Sequence, residues 1–171
     1  MKISAPAALL FTLYALAAPA QQPLSALPSA PFQPAGNWNC EGTFRGNKAH
    51  KAAFSTRVIL DGKWLEIDER DVEPATGYVA TYLIGYNSTD KVLVEFDANN
   101  YGAAVYTSAA GWESNALTMT STTSAHSQAP YIADQFTYAI TAPDLFTVDW
   151  QIQRTAGAGW IAADHLACKR S

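Results

Sequence analysis

Basic residues are few: 11 lysines and arginines against 15 aspartates and glutamates give a formal net charge of −4. They are scattered along the chain. The clustered positive footprint that holds a phosphate backbone is missing, so nucleic acid is not an expected partner. Helical periodicity is nearly absent after residue 36. The three histidines, His50, His126 and His165, stand far apart, and no H-E-x-x-H, G-x-S-x-G or glycine-rich phosphate loop occurs. No catalytic residue and no metal-ligand set is assigned on this basis, although a fold can still bring distant side chains together. Apolar runs of spanning length are also lacking. The longest lies between Pro6 and Pro19, about 12 residues where a membrane helix needs about 20.

What remains is 171 residues, 49% hydrophobic and 15% charged, a profile that suits one globular domain. Residues 1–20 have the layout of a secretory signal. Lys2 supplies the positive start, "APAALLFTLYALA" the apolar stretch and "APA" before Gln21 the small-residue cleavage site. Cleavage is expected after Ala20, no lipid-bearing cysteine follows, and the product is expected to be secreted or periplasmic. Residues 21–36, "QQPLSALPSAPFQPAG", carry four prolines and almost no charge, and read as an extended linker or arm without a fold of its own. The domain proper is 37–171, which holds all five tryptophans.

Within it, short runs rich in β-branched and aromatic residues recur between turn signals. They predict ten strands near 37–45, 50–61, 63–72, 77–87, 91–97, 101–108, 112–123, 134–142, 144–155 and 159–169. The breaks have suitable chemistry: "LDGK" is a D-G hairpin turn, "NSTD" and "DANN" offer Asx turns, and "TAPD" places proline at a turn. Short connections make neighbours antiparallel. An all-β, about ten-stranded, up-and-down antiparallel barrel closed by its first and last strands hides the sheet edges.

Closure would bring the only two cysteines together, Cys40 on the first strand and Cys168 on the last. In an oxidising compartment they are expected to form a disulfide at the seam, the alternative being two separate buried thiols. With Cys40 opposite Cys168, period-two alternation sets Trp38 opposite Arg170 on the same face, where a guanidinium can lie on the indole.

"GNW" at 36–38 resembles the G-x-W motif on the first strand of calycin barrels, the group of lipocalins, fatty-acid-binding proteins and nitrobindins. "LDGKWLEIDER", "YLIGYN" and "KVLVEFD" further resemble an uncharacterised family of exported bacterial lipocalin-like proteins, over roughly residues 36–170. The resemblance implies that Arg170 packs over Trp38, that the barrel encloses an apolar cavity, and that the compartment is a periplasm.

Strand parity with Trp38 inward turns Phe44, Trp160, Asp164 and Leu166 inward too, with Phe146, Val148 and Trp150 as a comparable face nearby. Trp38, Phe44, Phe146, Trp150, Trp160 and Asp164 are therefore the candidate ligand contacts, unless they simply fill the interior as core. In "EIDERD", Glu66, Asp68 and Arg70 share one face and Leu65 and Ile67 the other. The charged face is either solvated or turned inward, where Arg70 could clamp a ligand carboxylate. Nitrobindins hold ferric haem through a histidine near the C-terminus, and His165 occupies a similar place. Parity turns His165 outward, however, unless a bulge resets the alternation. "NST" at 87–89 matches a glycosylation sequon, with Asn87 read as a turn residue. The expected function is non-catalytic binding of a small apolar or amphipathic molecule without a cofactor. A haem protein using His165 and a structural protein with a filled barrel are the alternatives.

Overall fold

A computed structural model of the chain describes residues 23–29, 31–121 and 130–171. The expected signal segment 1–20 and His126 lie outside the described residues. The strands are β1 (Gly36–Phe44), β2 (Lys48–Ile59), β3 (Trp64–Glu73), β4 (Val79–Asn87), β5 (Val92–Asn99), β6 (Gly102–Ser108), β7 (Trp112–Glu113), β8 (Ala116–Ser121), β9 (Ala133–Ala142), β10 (Leu145–Gln153) and β11 (Ile161–Arg170). The region expected as one strand from 112 is split by a turn into the two-residue β7 and β8. Ser114 there has a φ of 58°, which no extended strand accommodates.

All pairings are antiparallel, in the order β6-β5-β4-β3-β2-β1-β11-β10-β9-β8-β7, with β6 also pairing β8. Ten strands thus form a closed up-and-down barrel, with β7 as a short ribbon on β8. The first and last strands join from Trp38↔Arg170 through Cys40↔Cys168 to Phe44↔Asp164. Among the described residues β6 and β8 pair at Thr107↔Thr120.

The turns follow their residues. Leu60, Asp61 and Gly62 all adopt positive φ, and Lys63 N–H donates to the Leu60 carbonyl at 3.2 Å, closing the D-G hairpin. The side-chain oxygen of Asn87 accepts from the amides of Thr89 and Asp90 at 3.0 and 3.3 Å. That is the Asx arrangement in which a side chain replaces a backbone acceptor.

Inward rows alternate with outward ones on every strand, as the pleat requires. Along the barrel axis these rows change character. Near one end they carry Trp38, Phe54, Ile84, Leu117, Phe146 and Leu166, all buried. Near the other they carry carboxylates, tyrosines and a histidine. The apolar end is covered by the segment before β1, whose described residues, 23–29 and 31–35, have no regular secondary structure yet bury Ala26 and Phe32. Phe32 stacks on Trp38 at 5.5 Å and meets Phe146 edge-on at 6.1 Å. The Trp38 indole N–H donates to Thr56 Oγ1 at 3.1 Å and to the Pro34 carbonyl at 3.2 Å. Arg170 lies 4.2 Å from the Trp38 ring centroid and donates to the carbonyls of Ala35 and Gln33. This side chain therefore ties the last strand to the arm as well as to the first strand.

Cys40 and Cys168 are disulfide-bonded with an S–S distance of 2.01 Å, and both are buried. Two steps along β1, a side chain at Gly42 would put its Cβ 1.7 Å from the His165 carbonyl oxygen. Only glycine lets the strands come this close at the seam.

Candidate functional site

The end of the barrel opposite the arm holds a cavity of about 560 Å³. Its walls come from the C-terminal halves of β1, β3, β5 and β10 and the N-terminal halves of β2, β4, β9 and β11, with Tyr106 from β6, because antiparallel order brings alternate strand ends to one rim. Phe136 packs edge-on to Tyr82 and Tyr106 at 5.7 and 5.2 Å. Tyr131 meets Trp150 edge-on at 5.9 Å, and Tyr78 stacks with Tyr101 at 6.1 Å.

Each carboxyl of this end has hydroxyl, indole, amide or imidazole partners. Tyr82 donates to Glu69 Oε2 at 2.7 Å, and its own oxygen lies 3.1 Å from that of Tyr78. Tyr106 and the Trp150 indole both donate to Asp134 Oδ2, at 2.8 and 3.1 Å. Asn99 donates to Asp97 at 3.0 Å. Below the cavity Tyr138 donates to Glu95 Oε1 at 3.2 Å, while Glu95 Oε2 has no hydrogen-bond partner among the described residues. Burial, with the negative charges of Asp71 and Asp164 adding to it, raises the pKa of Glu69 to about 7. Burial and the nearby Asp97 and Asp134 raise that of Glu95 to about 8. Burial also pushes the phenols of Tyr78, Tyr82, Tyr106 and Tyr138 upward, so they remain donors.

His50, 2% exposed, stands at the edge of the cavity stacked on Phe44 with ring centroids 3.9 Å apart. Its Nδ1 lies 2.8 Å from Asp164 Oδ2 and its Nε2 2.9 Å from Asp71 Oδ1. Burial alone would lower its pKa, but the bonds to Asp164 and Asp71 and their charges outweigh burial and raise it. The imidazolium form donates through both nitrogens, which leaves no lone pair to act as a base. His50, Glu69 and Asp71 each bring one potential ligand atom within 4.8 Å of the others. This is the one group with metal-ligand spacing found among the described residues, and a metal there would have to displace the His50 proton.

The residues singled out in the sequence fall into three places. Phe44, Trp150 and Asp164 line the cavity. Trp38 and Phe146 are buried together at the opposite, apolar end, ring centroids 4.9 Å apart. Trp160 and Arg70 do not belong to either group. Trp160 is 38% exposed and precedes β11. A bulge explains it: Trp150 pairs with Asp164 but Gln151 with Ala162, so Ala163 is an extra residue and the parity carried back from Cys168 breaks before Trp160. Arg70 is exposed on the outer face, beside a surface concavity shared with Asn39, Ser55, Asp68 and Thr81. The charged row faces outward, where Glu66 pairs with Arg57 and Asp68 accepts from Thr81 at 2.7 Å. The inward row of β3 is Leu65, Ile67, Glu69 and Asp71. Continuing the Leu65/Ile67 alternation by two more steps would have found both carboxyls.

The bulge lies N-terminal to His165 and leaves its orientation unchanged. The ring is on the outer face, 47% exposed, with Nδ1 2.7 Å from Asp149 Oδ1. It does not fit a haem held inside the barrel, since no nitrogen of His165 reaches the interior.

Together these features define a closed, ten-stranded antiparallel β-barrel, packed at one end and holding a cavity at the other, compatible with a calycin-like fold. Compared with known proteins, the chain matches no family model, and a comparison with curated protein sequences returns no match. The buried disulfide is consistent with an extracellular or periplasmic protein. Among the described residues no helix is long and apolar enough to cross a membrane.

Proposed function

We propose that this protein is an exported calycin-like barrel that holds one small amphipathic molecule in the cavity at the end opposite the arm, acting by binding rather than by catalysis. The observation that carries the reading is the division of the interior along its axis. A side-chain core packs one end, while the other keeps about 560 Å³ surrounded by aromatic faces and hydrogen-bonding tips. Such a volume suits one ligand of modest size. A barrel serving only as a structural element would gain stability by filling that space, because unfilled volume forfeits dispersion contacts. The mixed lining favours an amphipathic occupant over a purely apolar one, since an alkyl body alone would strip water from the carboxyls without replacing its hydrogen bonds. The N-terminal signal pattern and the disulfide support export.

Titration with hydrophobic amphiphiles while following tryptophan emission tests the reading. Trp150 is the one tryptophan on the cavity wall. Saturable quenching is expected in the native protein and a strongly reduced change in Trp150→Leu. Unsaturable or absent responses across neutral, anionic and cationic amphiphiles would overturn it.

A further inference from the structure

We infer that the His50 corner of the cavity wall is a binding site for a first-row divalent cation of the zinc class, held by His50 Nε2, one oxygen of Glu69 and one of Asp71, with Asp164 fixing the imidazole from behind. The site is separate from the amphiphile reading, and either can fail without the other.

Strand register brings these groups together. Glu69 and Asp71 are consecutive members of the inward row of β3, and Asp71 pairs with Ala52 of β2. His50 is the next inward residue of β2 beyond that pair. Asp164 reaches it from β11, across β1, where the residue paired with His50 is Gly42 and has no side chain to stand between them. His50, Glu69 and Asp71 each bring a ligand atom within 4.8 Å of the others. The side chains of His50 and Asp71 are only 2% and 4% exposed.

The groups around the trio are the second argument, because each of the three has its other polar atom held by a residue that is not itself a ligand. Asp164 Oδ2 accepts from His50 Nδ1 at 2.8 Å, Tyr82 donates to Glu69 Oε2 at 2.7 Å, and Thr76 donates to Asp71 Oδ2. What is left is His50 Nε2 facing Asp71 Oδ1 at 2.9 Å, with Glu69 Oε1 carrying no hydrogen bond among the described residues. An outer set of this kind, above all a carboxylate on the far imidazole nitrogen, is what orients ligands around a metal. Ligand atoms of a tetrahedral zinc ion stand about 3.3 Å apart at bond lengths of about 2.0–2.1 Å, so Nε2 and Oδ1 need separate by only a few tenths of an ångström.

Charge and donor type are the third. On coordination the Nε2 proton leaves to solvent, and the carboxylates of Glu69 and Asp71 balance a doubly charged ion. One imidazole with two carboxylates suits zinc, manganese or iron(II), whereas calcium and magnesium take oxygen sets. Both cysteines are in the disulfide, so an ion that demands thiolate has no ligand here.

Zn²⁺ alone, titrated calorimetrically near neutral pH into oxidised protein that has been stripped with a chelator and then freed of it, tests the site. One saturable equivalent per chain is expected, with a raised unfolding midpoint, since an ion that binds only the native state stabilises it. Affinity should fall about 10- to 100-fold in Asp164→Asn, which removes no ligand, and further in Glu69→Gln and in Asp71→Asn, which each remove one. An unchanged near-ultraviolet circular dichroism spectrum shows that a variant is folded, and two separate ligand substitutions keep the test open if one fails to fold. No saturable heat and no midpoint shift would overturn the inference and leave His50, Asp71 and Asp164 as a buried ion-pair network. Binding that survives both ligand substitutions would also overturn it, and its loss in His165→Ala would place the ion on the exposed His165 and Asp149 instead.

Discussion

His50 and Glu95 both have pKa values that folding raises, so both hold their protons more tightly in the native state. For His50 the raised pKa means that its contribution is complete below the unfolded value of about 6.5 and is lost as pH rises through the folded value. For Glu95 the sign is the same for a different reason. Burial penalises the charged form, so the native state loses stability as pH rises from about 4.5 and the loss is complete above about 8. A tenfold change in proton affinity corresponds to about 1.4 kcal/mol, so holding Glu95 protonated up to about pH 8 amounts to several kcal/mol. Urea unfolding midpoints should therefore fall between pH 5 and pH 8.5. Glu95→Gln, the isostere of the protonated acid, should remove much of that fall and should be more stable than the native protein at the alkaline end. A native midpoint that is flat over this range would contradict the burial argument.

At the scale of elements, the segment before β1 is the part whose role changes most between sequence and structure. Its prolines and lack of charge suggest a spacer, and its described residues lack regular secondary structure. It nevertheless buries Phe32 against Trp38 and Phe146, and its carbonyls receive the indole N–H of Trp38 and the guanidinium of Arg170. It serves as a lid on the apolar end, held by aromatic packing and by hydrogen bonds to its proline-rich backbone. Phe32→Ala should cost about 3 kcal/mol, as expected for a buried aromatic, and should expose Trp38 to quenchers. A change within about 0.5 kcal/mol, typical of a surface substitution, would show that the segment does not contribute to the core. The bulge in β11 is the other deciding element. Asp164 keeps the inward parity of Cys168, and the extra residue before it, Ala163, breaks that parity so that Trp160 lies at the surface.

The whole molecule is a ring closed by the pairing of its first strand with its last. The β1–β11 seam is paired along most of both strands and carries the disulfide, and among the described residues β6 pairs with β8 at Thr107 and Thr120. Cys40 and Cys168 are 128 residues apart, so the bridge encloses nearly the entire domain. In the chain-entropy account a loop of this size contributes on the order of 4 to 5 kcal/mol, through restriction of the unfolded chain. The double substitution Cys40→Ser/Cys168→Ser should lower stability by about that amount, with little change in the far-ultraviolet spectrum at low temperature. Equal unfolding midpoints for oxidised and reduced protein would show that the unfolded chain gains little freedom when the bridge is lost.

Alternation along a strand is local, so the all-β class, the strand positions, the D-G and Asx turns and the outward face of His165 could be read directly from the residues. The cysteine register was legible because a closed ring must join first to last strand, and Trp38 with Arg170 follows from it by parity. Height along the barrel axis is a different matter. Trp38 and Trp150 both point inward, but one lies in the packed end and the other on the cavity wall. That difference depends on how ten strands are staggered around the ring, which no single strand encodes. For the same reason His50, Asp71 and Asp164, on three different strands, meet only after closure. Trp160 shows the remaining limit: a bulge adds one residue without leaving a distinctive sequence, and every face assignment beyond it changes. Local chemistry determined which residues line the interior, and the tertiary stagger decided which of them share a site.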